Sequence, residues 1–441
     1  MKPVRERTGW YFYDWANSAY ITTVVTLLLG PYLNKLAQAA ADPQGFIHPF
    51  GLPVFAGSYW GYLITISVMS QIICLPVAGA LADGSPRKKA LLAAFAYTGA
   101  AATVAMLFLK GQAYLAGGAL FLISNLAFGA SIVVYNSFLP DIATEEERDA
   151  VSSKGWGFGY AGGGVLLALN LALAFKADAL GLTEDQAMRI NLCSAGIWWA
   201  VFTLIPLATL QNRPPARPRA PGKSAVSEAF RQLARTFREI RRYPQALTFL
   251  LAYLLYNDAI QTVITLSSQF GYDELKISIA TLSLAILMVQ FVGCFGAIAF
   301  NRLAAAIGAK RAIMLSLAVW TAVLVYIYVS VRTTAQFFVM AAIVAVVLGG
   351  SQALSRSLFS LMIPKSKEAE FFGLYEISDK GTSWLCPLLF GLALQFTRSY
   401  RLAILSLVIF FALGLLVLSR VDVRRAIREA AEDPTGLKTT Q

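Results

Sequence analysis

Apolar residues run along almost the whole chain in long blocks separated by short polar connections. Blocks of roughly 20 residues are long enough to cross a ~30 Å hydrocarbon layer as helices rising 1.5 Å per residue. The pattern predicts twelve spans, near residues 9–36, 57–82, 89–109, 114–139, 155–176, 189–211, 245–270, 277–301, 311–331, 335–361, 371–397 and 401–419. The short alternating segments of a transmembrane barrel are absent. The expected fold class is an all-α integral membrane protein. The first block lacks a small-residue cleavage site, so it is expected to remain as a span rather than leave as a signal peptide.

Composition agrees. Of 441 residues, 57% are apolar and 14% charged, against about 25% charged in soluble domains; a water-soluble enzyme is excluded. The net charge of +12 is explained by sidedness. Most Lys and Arg fall on the N-terminus, on the connections 83–89, 140–154, 212–244, 302–311 and 362–370, and on the tail. The positive-inside rule makes that side cytoplasmic, with both termini inside a cell membrane and no nucleic-acid partner.

The connection 212–244 opens with a stiff Pro/Arg run from Arg213 to Pro221. It continues as a basic stretch with Phe230, Leu233, Phe237 and Ile240 at helical spacing, which predicts an amphipathic helix on the cytoplasmic leaflet. It divides a six-helix bundle at 1–211 from another at 245–419, followed by a tail at 420–441. Cys74, Cys193, Cys294 and Cys386 lie in apolar blocks and read as buried thiols, and His48 lies in a polar loop. With no metal-ligand spacing and no Walker loop, neither a cofactor nor ATP drive is expected.

The two halves repeat in parallel orientation. Tyr13, Asn17, Ala19 and Thr22 match Tyr253, Asn257, Ala259 and Thr262; Gly129, Ser131 and Ser137 match Gly349, Ser351 and Ser357; Gly79–Ala82 matches Gly296–Ala299. Six plus six helices in repeat is the build of alternating-access transporters, with substrate held between halves near mid-bilayer.

The stretch 79–89, GALADGSPRKK, resembles the signature loop between the second and third helices of the major facilitator superfamily. In that superfamily an acid and bases latch the cytoplasmic gate, so the resemblance implies that role for Asp83, Arg87 and Lys88. The copy after the eighth span has Phe300 in place of the acid, and no matching latch is expected there. The strings YDWANSAY (13–20), YNSFLPDIA (135–143), GFGYAGGG (157–164), YNDAIQT (256–262), GGSQALSRSLFS (349–360) and FFGLYEISDK (371–380) are similar to the vacuolar amino-acid effluxer family and its bacterial relatives. That resemblance implies a twelve-helix facilitator fold and amino-acid export.

Charged and amide groups inside spans face a cavity or a partner, because hydrocarbon penalises them by several kcal/mol. On helices one, four, seven and ten, which line the cavity in the superfamily, lie Tyr13, Asn17, Asn136, Asn257, Gln261, Gln352 and Arg356, the candidate substrate residues. Arg356 suits a carboxylate, which a guanidinium binds bidentately; a structural ion pair with Glu376 or Asp14 is the alternative. Asp258, halfway along the seventh span, is the first choice for a proton-coupling site, followed by Glu376 and Asp14. Asp379 and Lys380 are expected at the cytoplasmic gate, and Lys380 also stands one helical turn from Glu376. Gly155, Gly159 and Gly163 form a small-residue stripe for close helix packing.

The resulting expectation is a monomeric secondary transporter, bathed in membrane lipid, that moves a small polar metabolite with H+. Amino acids are the foremost substrate. A multidrug, lipid or siderophore exporter is the alternative, and a non-transporting receptor or membrane enzyme a more distant one.

Overall fold

In the computed structural model the described residues are 2–56, 59–214, 238, 240–364, 367–380, 386, 389–390, 393, 397 and 399–431. Ten helices among them are long and apolar enough to cross a membrane. Of the remaining expected spans, the first falls in a helical run broken into three segments. The eleventh begins in a shorter helix and continues into positions mostly outside the described residues. The amphipathic helix expected near 228–242 also falls largely outside them.

The chain divides into two compact units. The first comprises Met1–Cys74, Lys89–Ile132 and Phe158–Gln211; the second comprises Leu75–Lys88, Val133–Gly157 and Asn212–Gln441. Two pieces of the first half of the sequence, 75–88 and 133–157, thus belong to the unit that holds the whole second half.

In the first unit, helix α1 (Lys2–Ala19) runs through a π-helical stretch, Tyr20–Leu28, into α2 (Leu29–Ala40). Residues 21–26 of that stretch are Ile, Thr, Thr, Val, Val and Thr, all β-branched. Such residues crowd the preceding turn and weaken regular α-helix, which accounts for the break at this place. The first half of the sequence continues with α3 (Tyr59–Asp83), α4 (Lys88–Ala105), α5 (Tyr114–Asn136), α6 (Leu139–Ile142), α7 (Arg148–Phe175) and α8 (Glu184–Thr209), of which all of α6, the ends of α3 and α5 and the start of α7 fall in the second unit. Two members of the predicted glycine stripe on α7 pack against α1: a Cβ on Gly159 would stand 2.6 Å from Ser18 Oγ and one on Gly163 3.3 Å from the Ser18 carbonyl oxygen. Trp15 stacks on Trp198 of α8 at 5.6 Å between ring centroids. Asn170 Nδ2 donates to Thr23 Oγ1 at 3.1 Å, so an amide of α7 meets the π-helical stretch. Between α2 and α3 a two-residue antiparallel pair (Phe46–Ile47 with Val54–Phe55) is nucleated by Asp42, whose carboxylate accepts from the Gln44 and Phe46 N–H groups and meets His48 Nε2 at 3.1 Å.

The second unit is built on α9 (Pro244–Asp273), α10 (Ile279–Ile307), α11 (Ala309–Val329), α12 (Thr334–Leu361), α13 (Glu368–Lys380), α14 (Tyr400–Ser406), α15 (Val408–Ser419) and α16 (Val423–Ala431). Ser278, Thr333 and Ser399 accept the first free N–H groups of α10, α12 and α14 and so set where those helices start. Helices α10 and α12 touch backbone to backbone, since a Cβ on Gly349 would lie 2.5 Å from the Gly293 carbonyl oxygen. A turn at Gly308, at φ +88°, joins α10 directly to α11, a conformation that favours glycine.

Candidate functional site

A polar cluster lies in the second unit, where 75–88 and 133–157 meet α12 and α13. It begins with helical spacing. Arg148, Ser152 and Trp156 are four residues apart at the start of α7 and share one face. Ala353, Arg356 and Ser360 share a face of α12. The two faces meet in antiparallel order. Arg148 Nη1 donates to the Ser360 carbonyl at 2.6 Å and Ser152 Oγ to the Ala353 carbonyl at 2.8 Å. Arg356 Nε donates to Ser152 Oγ and Nη2 to the Ser152 carbonyl, each at 2.9 Å. The Arg356 guanidinium also lies 5.4 Å from the Trp156 ring and 5.8 Å from the Tyr135 ring, so its buried charge meets two π faces as well as two acceptors. The Ser357 hydroxyl donates to Asp149.

A second contact joins the end of α3 to the start of α13. Asp83 accepts the Ala369 N–H on Oδ1 at 3.0 Å and the Glu370 N–H on Oδ2 at 2.8 Å. These are groups that the first turn of a helix cannot pair internally. The carboxylate thereby caps α13 from another helix, where the helix dipole also favours a negative charge. Lys88 Nζ stands 3.6 Å from Asp83 Oδ1. Two glycines permit the approach: a Cβ on Gly79 would lie 2.3 Å from the Ala369 carbonyl oxygen, and one on Gly373 2.9 Å from Pro76 Cα.

Of the substrate and coupling candidates, Tyr13, Asp14 and Asn17 lie in the first unit, all buried; Asn17 Nδ2 donates to the Tyr13 carbonyl at 2.7 Å. The others lie in the second unit. Asn136 Nδ2 reaches Glu376 Oε1 at 3.4 Å, while its own buried Oδ1 has no hydrogen-bond partner among the described residues. Asp258 Oδ2 accepts the Cys386 N–H at 3.2 Å, and Asn257 beside it is fully buried. Gln261 and Gln352 are half-buried. Tyr253 stacks on Tyr375 at 4.3 Å, and Tyr256 shares a hydrogen bond of 2.6 Å with Ser355, giving α9, α12 and α13 a common aromatic wall. Arg87 is exposed and makes no ion pair among the described residues. Asp379 and Lys380 belong to α13, but their side chains lie outside the described residues.

Sequence reasoning missed Arg148, Asp149 and Ser152. They follow an acidic loop run and read as the solvated entry to a span; the available signal was the row of serines, Ser351, Ser355, Ser357 and Ser360, which required partners.

The chain is similar to known transporters over nearly its whole length. The family model described as "Vacuole effluxer Atg22 like" matches residues 2–431. The chain is 31% identical over 419 residues to the MFS-type transporter YxiO of Bacillus subtilis, covering 95% of both chains. It is 25% identical over 525 residues to autophagy-related protein 22 of Pyricularia oryzae, covering 96% of this chain and 76% of that protein. Among solved structures, the human organic anion transporter MFSD10 shares the fold at a TM-score of 0.69 and 14% identity, covering 95% of this chain and all (100%) of that one. A bacterial homologue of the iron transporter ferroportin in an outward-facing state does so at 0.67 and 13%, covering 95% and 99%. The chain is a multi-pass membrane transporter of the major facilitator type and belongs to the Atg22-like vacuole effluxer family.

Proposed function

We propose that this transporter moves small zwitterionic metabolites, amino acids foremost, by proton-coupled alternating access, with export as its direction. The observation that carries the reading is the pairing of opposite functions among buried groups of the second unit. Arg356 supplies a permanent cation suited to a carboxylate. The Asn136 Oδ1 and the Glu376 carboxylate supply acceptors suited to an ammonium group. Asn17 and Asn257, equivalent in the repeat, add amides that both donate and accept, and Tyr13, Gln261 and Gln352 complete the polar set.

In the conformation described, Arg356 is held by Ser152, and the contacts of Asp83 and Arg148 accompany it. We read these contacts as the closed cytoplasmic gate of a twelve-span monomer with both termini inside. Opening the gate frees the guanidinium for its ligand. Asp258 is the proposed proton carrier, with Glu376 and Asp14 behind it.

The test is flux of single labelled amino acids into proteoliposomes, with and without a pH gradient. Gradient-stimulated flux of at least one amino acid is expected. Asp258→Asn is expected to abolish coupled accumulation while sparing exchange. Absence of gradient-stimulated flux across the panel rejects proton coupling, and equal accumulation by mutant and wild type removes Asp258 from the role.

A further inference from the structure

A cavity of about 900 Å³ opens in the second unit where α10 ends, α11 begins and α15 runs into α16. Its lining carries four cations, Lys310, Arg311, Arg420 and Arg424, against two acids, Asp149 and Asp422. Both acids are already engaged. The Ser357 hydroxyl donates to Asp149. Asp422 accepts the Arg425 N–H at 3.1 Å as the cap of α16, which holds its carboxyl below the usual range. One cation is engaged too, because Lys310 Nζ donates to the carbonyls of Ser419 and Val421 at 2.7 and 2.8 Å. Three arginines remain. Among the described residues, Arg311, Arg420 and Arg424 make no salt bridge and no side-chain hydrogen bond, and all three are exposed. They come from three different elements onto one cavity, so they do not belong to a single solvated helix face.

Three planar guanidinium groups lining one cavity suit an oxyanion, and a phosphate group offers each of them acceptor oxygens in the matching geometry. The height of the cavity narrows the source. It lies at the shared end of three apolar spans, those ending at Ile307 and Ser419 and the one starting at Ala309. This is the level at which headgroups sit. We infer that this cavity is a phosphate site, and that its occupant is the phosphate of an anionic phospholipid clamped by Arg311, Arg420 and Arg424. A bound headgroup joins α16 to the α10–α11 turn and fixes the tail helix against the unit. This inference is independent of the transported substrate.

The test uses the full chain purified in a neutral maltoside detergent. Its melting temperature is followed against dioctanoyl phosphatidylglycerol, dioctanoyl phosphatidylcholine and inorganic phosphate. Saturable stabilisation by phosphatidylglycerol and none by phosphatidylcholine is expected. R311Q/R424Q is expected to weaken the apparent affinity at least tenfold, and Arg332→Gln, outside the cavity, to leave it unchanged. Stabilisation by inorganic phosphate at the same concentrations keeps the phosphate chemistry and rejects the lipid source. No saturable response to either phosphate compound overturns the site. So does an unchanged response in R311Q/R424Q, or an equal loss in Arg332→Gln. If R311Q/R424Q melts far below the wild type without ligand, lipid adducts counted by native mass spectrometry on Arg420→Gln decide: retained adducts overturn the site, and lost adducts support it.

Discussion

The repeat places two related helix ends, each with the turn that follows it, in the second unit, and they finish in opposite chemistry. The first, 79–88, carries Asp83, which takes two N–H groups at the start of α13. The second, 296–310, has Phe300 at the corresponding place. That ring is buried against Gly350, where an added Cβ would come within 2.1 Å of it. The second copy makes its polar contact through Lys310 instead, which holds two carbonyls at the end of α15. An acid thus serves a helix N-terminus in one copy and a base serves a helix C-terminus in the other, and each matches the sign of the helix dipole. The difference lies in what is joined. Asp83 joins the first half of the sequence to the second, and so can act as a latch. Lys310 joins two parts of the second half, and so can only brace.

The largest effect expected from this contrast is that of Asp83→Ala. It removes the carboxylate paired with Lys88, whose side chain is 11% exposed, and uncaps the first turn of α13. Breaking a buried pair from one side costs about 3 kcal/mol or more. A clear drop in melting temperature and a loss of flux of roughly tenfold or more are expected. Flux equal to wild type would remove the latch from the transport cycle.

Next come matched overpacking substitutions. Gly79→Ala and Gly296→Ala each place a Cβ against a carbonyl oxygen, 2.3 Å from Ala369 O and 2.5 Å from Val346 O. Each is expected to cost about 1–3 kcal/mol, yet with different consequences. Gly79→Ala strains a contact between sequence halves and should shift the protein away from the latched conformation. Gly296→Ala strains the packing of α10 on α12 in any conformation. Thiol labelling of Ser153→Cys, in a background without the four native cysteines, should accelerate with Gly79→Ala alone. Equal acceleration by both would break the distinction between latch and brace.

Lys310→Met follows. A cation at a helix C-terminus contributes about 0.3–1 kcal/mol when partly exposed, so a small drop in melting temperature with flux intact is expected. A loss of flux as large as that of Asp83→Ala would mean that the second copy also gates.

The fold was legible in the sequence because lipid imposes one rule on every span, for which length and apolarity suffice. The first span was legible in extent but not in form. Its β-branched residues 21–26 sit in an apolar block that hydropathy alone reads as ordinary helix, and only their crowding marks the π-helical stretch. Polar candidates such as Arg356 and Glu376 stood out because charges are rare in hydrocarbon. Ser152, which accepts from Arg356, did not, because neither it nor the Ala353 and Ser360 carbonyls that accept from Ser152 and Arg148 carry a sequence signal of long-range pairing. Asp83 was marked by its motif, yet its acceptor role toward two N–H groups of α13 depends on chain geometry some 286 residues away.

Arg87 gives the finest test, because there resemblance and geometry part. The motif implies a gate role for the whole basic run after Asp83. In the described conformation Lys88 meets the carboxylate, whereas Arg87 is exposed and its backbone N–H donates to Ser85 Oγ at 3.1 Å. Substitution at a solvated surface position changes stability by at most about 0.5 kcal/mol. Arg87→Gln is therefore expected to melt with the wild type and to transport within about twofold of it, since 0.5 kcal/mol corresponds to little more than a factor of two. If Arg87→Gln instead loses flux at unchanged melting temperature, the charge must act in the unlatched conformation. The run would then divide its work between two states, Lys88 holding the gate shut and Arg87 finding its partner only after the gate has opened.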